Sequence, residues 1–424
     1  MLSLRPLVLL AALPTLSFAQ TVHLVPHQAA LQPFIDQAAP GDVLIFEAPF
    51  KWISPINLTK GLTFVNVQLL SGPSSFVIHD LPADQAVVFR DCHFGFNTDD
   101  ELGDAVVRIE DCAGPVFFER CLLSEYTDVE SQLEVLRIER SDAVHLSDTT
   151  VQGCRAPFST LGSFPAVVVL DSDLWLHASE LVGGSGWGEV GTGGSSAPFA
   201  QTVGGSTALL AEDSRVVAVG SSFRGGDGEP TNVVLEPAPG GFSTFCFGPF
   251  PGLPGVTATG DTELILYNST SVAGDYGTEL CSPDSSALPP LPDVLLEGTS
   301  ALVSEDSGFG LAFEPGTLSP GTSALITVEG EPGELVLLAF STGVHAPLEA
   351  GFGPFGSWLT MPVQAVVSLG VLDAGGSTSL ALASQQNPAS VPIGIYAQAF
   401  GVLGGASGEL ELRSFPVATA TLMP

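Results

Sequence analysis

Short stretches in which hydrophobic and polar residues alternate recur along much of the chain. The segments "LWLHA" at 174–178, "VVAVG" at 216–220 and "LILYN" at 264–268 are typical. Alternation of this kind predicts pleated strands with one face turned inward. Ahead of them, the apolar spacing in residues 30–38 predicts a short amphipathic helix that ends at Pro40 and Gly41. The pattern therefore predicts an all-β chain that opens with one helix.

Two segments of the chain repeat each other at a fixed offset. The segment "TDDELGDAVVRIE" begins at residue 98, and "TDVESQLEVLRIE" begins at residue 127. Internal repeats with periods of roughly 20 to 50 residues indicate coils stacked on one another. Stacking would bring together four acidic positions, and carboxylate oxygens are the ligands that Ca²⁺ prefers. The candidate metal ligands are Asp99, Glu101, Asp128 and Glu130.

The same offset continues into the strands that end both segments. It places Arg108 over Arg137 and Glu110 over Glu139. Like charges would then lie about 4.8 Å apart unless each arginine reaches a glutamate of the neighbouring coil. We interpret this pair of segments as a structural charge ladder.

A common frame extends the repeat through the later segments. Three sets of residues each occupy one place in it, namely Asp171, Asp213 and Asp261; Ser179, Ser221 and Ser269; and Gly184, Gly226 and Gly274. The serines recur at turns and have no histidine partner, which favours backbone hydrogen bonding over nucleophilic chemistry. The spacing is irregular because of insertions at 185–206, 227–255 and 275–293. In repeat proteins such insertions lie on one side, often the binding side.

The N-terminal part of the chain resembles a known family. The elements "APGD" at Ala39–Asp42 and "I..KGLTF" from Ile56 to Phe64 are similar to the opening of the right-handed parallel β-helix proteins of the pectin-lyase-like class. This resemblance implies a coil of parallel strands. It also implies two enzyme alternatives, because polysaccharide lyases of this fold bind uronates through Ca²⁺ and use an arginine or lysine base. Hydrolases of this fold use paired aspartates.

The candidates for those enzyme roles are few. The arginines nearest the acidic positions are Arg155 and Arg224, and the segment "NTDD" supplies Asp99 and Asp100. The "GHG" and "RIK" motifs that accompany such aspartates in the hydrolases are absent from the sequence.

The repeat frame disappears after the proline-rich segment at 281–293. Alternating stretches between Gly and Pro turns follow, as in antiparallel sandwich strands. Among them, "IGIYAQAFGVL" at 393–403 resembles a C-terminal module of exported bacterial proteins. The predicted divisions are a signal peptide at 1–19, the coil with its capping helix at 20–285, a linker at 286–293 and a β-sandwich at 294–424.

The composition of the chain limits the kinds of partner that the protein is expected to bind. The chain of 424 residues carries a net charge of −34, which disfavours nucleic acid and anionic membranes. A single arginine, an apolar run from Leu7 to Leu16 and the residues Ser17-Phe18-Ala19 predict an export signal cleaved after Ala19. We therefore expect a secreted or cell-surface protein, monomeric and without a membrane span. Acidity alone is also a way to keep such a protein soluble.

Export makes disulfides possible for the six cysteines. Cys246 and Cys281 fall in successive insertions, so we predict a disulfide between them. Cys92 and Cys112 share a place in the frame and are expected to stack as buried thiols. The pairing of Cys121 and Cys154 stays open.

A column of acids with neighbouring aromatic residues follows the frame. Its members, which we predict to bind glycan, are Glu125, Asp227, Asp275, Tyr126, Trp187 and Tyr276. Aromatic faces stack on sugar rings, and carboxylates accept sugar hydroxyls or hold Ca²⁺. The alternative is that solvated loops of an acidic protein simply carry acids. His145 and His177 are expected to be packing residues.

These observations favour an exported, acidic protein that binds glycan or matrix along one edge of its coil without catalysis. The alternative is a polysaccharide lyase or glycoside hydrolase that acts on an acidic polysaccharide. A positioned base near the acids would distinguish the two.

Overall fold

The structure is a computed structural model, and it describes most of the chain after residue 20. The described residues are 21–26, 30–46, 50–51, 56–71, 76–96, 105–125, 134–153, 164–186, 188–190, 200–202, 205–228, 232–238, 241–247, 252–276, 291–305, 310–314, 317–341, 344–348, 357–359, 363, 365–383, 393–404 and 410–422.

Most of the chain winds as a coil whose successive turns stack in parallel. In one turn the chain passes through Ala105–Glu110, Val116–Glu119 and Leu122–Glu125, each of which belongs to a different sheet. The next turn begins at Glu134–Glu139, which pairs in parallel with the first of these strands. The fold class predicted from the alternation and the repeat is confirmed.

The three sheets are named here in the order in which each turn visits them. Sheet I contains the strands Ile56–Leu58, Phe76–His79, Ala105–Glu110, Glu134–Glu139, Val167–Leu170, Leu209–Glu212, Val256–Thr259 and Val294–Leu296. Sheet II contains the strands Val22–Val25, Val43–Phe46, Thr63–Val65, Val87–Arg90, Val116–Glu119, Val144–Ser147, Asp173–His177, Arg215–Val219, Glu263–Tyr267 and Ala301–Glu305. Sheet III contains the strands Phe50–Lys51, Gln68–Ser71, His93–Phe96, Leu122–Glu125, Thr150–Gln152, Glu180–Val182, Ser222–Arg224 and Thr270–Val272.

The inward residues of the three sheets form one continuous core. Phe64, Phe89 and Phe118 stack along the coil axis, with ring centroids 4.9 Å apart at each step. The predicted helix is present as Gln32–Gln37, and Leu31 and Ile35 bury their side chains against the first turns. The parallel register lets like side chains meet on successive turns, so the core grows by repetition.

The corner between sheets I and II is made by one residue in the left-handed backbone region. On successive turns this residue is Asp80, Asp111, Arg140, Asp171, Asp213 and Gly260. The frame had placed Asp261 there, and this was wrong. Glycine adopts positive φ without strain, so Gly260 takes the corner and Asp261 is an extra residue whose N–H donates to Asp213 Oδ1 at 2.8 Å.

The corner between sheets II and III is followed by a column of hydroxyl side chains. The N–H of Thr149 donates to Ser179 Oγ at 3.2 Å, and the same bond links Ser179 to Ser221 at 3.2 Å and Ser221 to Ser269 at 3.1 Å. Each of these hydroxyls also donates to a nearby backbone carbonyl. The serines are therefore structural, as their turn positions predicted.

Removing one hydroxyl from this column should be costly. Ser179→Ala leaves the buried Thr149 N–H without its acceptor, and we expect a loss of about 1 to 3 kcal/mol in the free energy of unfolding. Denaturant unfolding measures this loss. The control is Ser300→Ala, whose hydroxyl is half-buried and donates to Glu297 O at 2.8 Å, and this substitution should change stability by less than about 0.5 kcal/mol. Equal losses in the two variants would contradict the role of the column.

The described cysteines are buried thiols. Cys92, Cys112 and Cys121 are all free, and burial raises the pKa of Cys112 to about 11. The expected stacking of Cys92 on Cys112 is wrong, because the two lie at different corners. Cys92 shares its place with Cys121, whereas the N–H of Cys112 donates to Ser141 Oγ at 3.2 Å. The predicted disulfide falls outside the described residues, since Cys281 and the side chain of Cys246 are not among them.

The coil continues past residue 294, where the sandwich had been expected to start. Val294–Leu296 pairs in parallel with Val256–Thr259, and Ala301–Glu305 pairs in parallel with Glu263–Tyr267. Alternation is the same in a coil strand and a sandwich strand, so the sequence pattern does not distinguish them. The coil therefore extends to Glu305.

The remainder forms two sheets around one core. One sheet contains Gly310–Glu314, Ser323–Glu329 and Ser377–Ala383, which are antiparallel. The other contains Thr317–Leu318, Leu410–Leu422, Ile393–Gly404, Leu335–Ser341 and Ala365–Val371. Three hairpins complete the described strands, and they pair Val344–Leu348 with Ser357–Leu359, Gly188–Val190 with Ala200–Thr202, and Asn232–Ala238 with Gly241–Phe247.

The sandwich packs on the outer face of sheet II. Tyr396 of the sandwich lies with its ring centroid 6.2 Å from that of Phe117 and 5.8 Å from the guanidinium carbon of Arg90. Outward residues of sheet II such as Val88 and Val217 are buried in the same cluster as the sandwich core. This face of the coil is therefore closed by the chain itself.

Candidate functional site

The insertions of the coil all leave from the same side. Each follows a strand of sheet III and precedes a strand of sheet I. The described residues where these insertions begin are 183–186, 225–228 and 273–276, and we call them the loop edge. The expectation that the insertions share one side is confirmed by this topology.

Glycines allow the backbones of the loop edge to approach closely. A Cβ at Gly226 would lie 1.9 Å from Gly184 O, and one at Gly274 would lie 2.1 Å from Gly226 O. The predicted glycine column of residues 184, 226 and 274 is therefore present, and any side chain there would collide with backbone. Close approach keeps the following residues in register from turn to turn.

Two carboxylates of the predicted acidic column lie on adjacent turns of this edge. The N–H of Asp275 donates to Asp227 Oδ1 at 3.0 Å, and the N–H of Gly228 donates to Asp275 O at 2.8 Å. Arg224 Nη2 lies 3.1 Å from Asp227 Oδ1 and 2.9 Å from Oδ2. Asp227 is thus held by donors on two sides, while the side chain of Asp275 is exposed.

Tyr276 directly follows Asp275 and is half-buried. An exposed carboxylate can accept a hydrogen bond from a sugar hydroxyl. An aromatic ring beside it can stack on the apolar face of a sugar ring. The arrangement can therefore bind a polyhydroxylated ligand.

Arg224 does not have the surroundings of a catalytic base. Its guanidinium is paired with both carboxylate oxygens of Asp227, and an arginine stays protonated in proteins. Asp227 is half-buried and already paired with Arg224, whereas Asp275 is exposed.

Several predicted site residues lie outside the described residues. They are Asp99, Asp100, Glu101, Tyr126, Asp128, Glu130, Arg155 and Trp187, together with the side chain of Glu125. In the part of the chain that the structure describes, no three His, Cys, Asp or Glu side chains come together as a metal site. Among the same residues no helix is long and apolar enough to cross a membrane.

The charge ladder of sheet I has the predicted register. Arg108 pairs with Arg137 and Glu110 with Glu139 across the two strands. The arginines do not need the neighbouring turn, however, because Arg108 contacts Glu110 and Arg137 contacts Glu139 on its own strand. A residue two positions along a strand lies on the same face, so each pair neutralises itself.

The two histidines of sheet II are packing residues, as expected. The ring of His145 stacks between Phe117 and Trp175, with centroid distances of 4.6 and 5.1 Å. Burial lowers the pKa of His145 to about 3 and that of His177 to about 4. In the register of sheet II, His145 aligns with Trp175, and His177 aligns with Ser147.

A buried ion pair under the sandwich was not predicted. Arg90 Nε lies 2.6 Å from Glu119 Oε2, and both side chains are 3% exposed. The sequence does carry a signal, since the two residues occupy one place on successive turns with opposite charge. Nothing local indicates that Tyr396 covers them.

No protein-family model matches the chain, and no curated protein sequence matches it. Among solved structures, tailspike protein 2 of the Escherichia coli O157:H7 bacteriophage CAB120 is 10% identical, with a TM-score of 0.31 over 92% of this chain and 57% of the tailspike. The enzymatically active domain of bacteriophage CBA120 tailspike protein 2 is also 10% identical, with a TM-score of 0.27 over 91% of this chain and 73% of that domain. The chain spans little more than half the length of the first of these.

The sheet topology itself gives the fold. Three parallel sheets are visited in turn by one coil, and crossovers between parallel strands are right-handed in nearly all proteins. An antiparallel sandwich follows the last turn. The chain therefore has the fold of a right-handed parallel β-helix followed by a smaller β-sandwich, as its resemblance to the pectin-lyase-like class implied.

Proposed function

We propose that the protein is exported and binds a neutral glycan along the loop edge without catalysis. The leader at residues 1–19 supports export. The observation that carries the binding proposal is the placement of Asp227, Asp275 and Tyr276 on adjacent turns of one exposed edge.

The contacts of the two aspartates give them different roles. Asp227 already accepts from Arg224 and from the N–H of Asp275, so it fixes the backbone of the edge. Asp275 is the exposed carboxylate, and it is the one we assign to sugar hydroxyls. Tyr276 beside it supplies an aromatic face for the apolar side of a sugar ring.

The charge of the chain selects the class of glycan. A net charge of −34 raises the energy of any anionic chain that approaches, and Asp275 adds a negative charge at the edge itself. A uronate polymer would place its carboxylates against these groups. A neutral polysaccharide loses nothing to this repulsion and gains charge-assisted hydrogen bonds.

Paired substitutions test the site. Binding of the full chain to neutral oligosaccharides of glucose and of mannose, and to polygalacturonate, is measured by isothermal titration calorimetry. We expect binding to a neutral oligosaccharide, and we expect the double variant Asp275→Asn/Tyr276→Ala to weaken it at least tenfold, because about 1.4 kcal/mol is lost with a charge-assisted bond and a ring contact.

The matched control is Asp84→Asn. Asp84 is exposed at a different corner of the coil, between sheets I and II, so the substitution removes the same charge away from the loop edge. It should leave the affinity unchanged. Equal weakening by both variants, or binding to polygalacturonate alone, would overturn the proposal.

A further inference from the structure

A row of four rings crosses the contact between the coil and the sandwich. Tyr396 of the sandwich lies against Phe117, His145 stacks on Phe117, and Trp175 stacks on the other face of His145. The three coil residues occupy one outward column of sheet II on successive turns. The histidine is therefore held between aromatic faces next to the docked sandwich.

This environment favours the neutral imidazole. Desolvation is the cause that lowers the pKa of His145 to about 3, and the same cause lowers that of His177 to about 4. Both residues are half-buried while the sandwich is docked. When the sandwich leaves, both rings would be hydrated and their pKa would return toward about 6.5.

Other charged and titratable groups border the same contact. They are Arg90, Glu119, Asp148, Asp173, His177 and Arg215 on the coil and Glu314 and Tyr396 on the sandwich. Arg90 and Glu119 are paired, and Arg215 lies 3.2 Å from Glu263. Burial raises the pKa of Asp148, and the Glu314 carboxylate adds to the rise, so acid relieves a repulsion there.

We propose that the contact between the sandwich and sheet II is an acid-sensitive latch, which opens as His145 and His177 take up protons and exposes the aromatic column beneath. This device goes beyond glycan binding at the loop edge and does not depend on it. The column it would uncover contains Phe117 and Trp175, which are 3% exposed when the sandwich is docked.

The sign of the effect follows from proton linkage. In the open form the two histidines bind protons below about pH 6.5. In the docked form they do so only near their lowered pKa values. The population of the open form therefore increases as the pH falls. Between pH 7.5 and 5 each histidine should weaken docking by up to about 30-fold. Protonation of carboxylates acts in the opposite direction, since it reduces the repulsion within a chain of charge −34.

Small-angle X-ray scattering of the full chain between pH 7.5 and 5 tests the latch, with far-UV circular dichroism recorded on the same samples. We expect the radius of gyration to increase on acidification while the strand signal is unchanged. The double variant His145→Phe/His177→Val should stay compact at pH 5, because phenylalanine continues the ring stack and valine matches the adjacent Val219.

The matched control is His93→Gln. Burial also lowers the pKa of His93, but this residue lies on sheet III, away from the sandwich. The sandwich of the His93→Gln variant should leave sheet II at the same pH as in the unmodified protein. A radius of gyration that is constant with pH, an expansion accompanied by loss of the strand signal, or opening of the double variant at the same pH would each overturn the proposal.

Discussion

Replacing Gly226 by alanine is expected to prevent the coil from folding at the loop edge. The new Cβ would lie 1.9 Å from Gly184 O and 2.6 Å from Gly184 C, and both are backbone atoms that cannot rotate away. Either the loop edge must separate or the strands must shift in register. We expect a loss of more than about 4 kcal/mol, which is exceptional for a single substitution. Size-exclusion chromatography and circular dichroism should show that no cooperatively folded protein is recovered.

Gly220→Asn is the matched control for this prediction. Gly220 is on the same turn and has φ of +56°, but no atom lies within 4 Å of the position that a Cβ would take there. On the next turn the same place is taken by Asn268, with φ of 45°. The change should therefore cost less than about 1 kcal/mol. A similar loss in both variants would show that backbone crowding at Gly226 is not what limits the fold.

Removing the charge of Glu119 is expected to destabilise the protein by about 3 kcal/mol or more. Burial acts to lower the pKa of Arg90, and the Glu119 carboxylate more than offsets this, so the net pKa is raised. Glu119→Gln keeps the shape of the side chain but leaves the buried guanidinium without its counter-charge. Breaking a buried ion pair from one side typically costs about 3 to 5 kcal/mol. Denaturant unfolding of the full chain measures the change.

The neighbouring residues provide an unusually close control. Arg120 and Asp91 form a second pair between the same two turns, with Nε to Oδ1 at 2.8 Å, but their side chains are 28% and 44% exposed. Asp91→Asn removes one negative charge and keeps a residue that tolerates positive φ. We expect a loss below about 1 kcal/mol, since exposed ion pairs contribute little. Comparable losses for Glu119→Gln and Asp91→Asn would contradict the account of the buried pair.

The coil was predictable from sequence because its period is local. The strand at 105–110 and its copy at 134–139 align in the structure as they do in the sequence. The frame failed at Asp261 because aspartate and glycine both suit the left-handed corner, so residue type alone did not reveal which of two adjacent residues occupied it. The predicted end of the coil was wrong at Val294–Leu296, because hydrophobic and polar residues alternate in the last coil strand as they do in a sandwich strand.

The candidate site was predictable only in part. Asp227 and Asp275 align by counting from repeated places in the frame, and the structure puts them on adjacent turns. The pairing of Arg224 with Asp227 has only a three-residue spacing as its signal, and that spacing alone does not distinguish an ion pair from two solvated side chains. Docking of Tyr396 over Arg90 had no local signal, because it joins segments far apart in the chain through the shapes of two complete domains.

Hydrogen exchange of the full chain, with and without the neutral oligosaccharide that binds most tightly, tests the central claim most directly. The account predicts slower exchange at residues 225–228 and 273–276, where backbone N–H groups hold the two aspartates in place, and no change in the sandwich strands. Protection confined to the sandwich or to sheet I, with none at the loop edge, would contradict it.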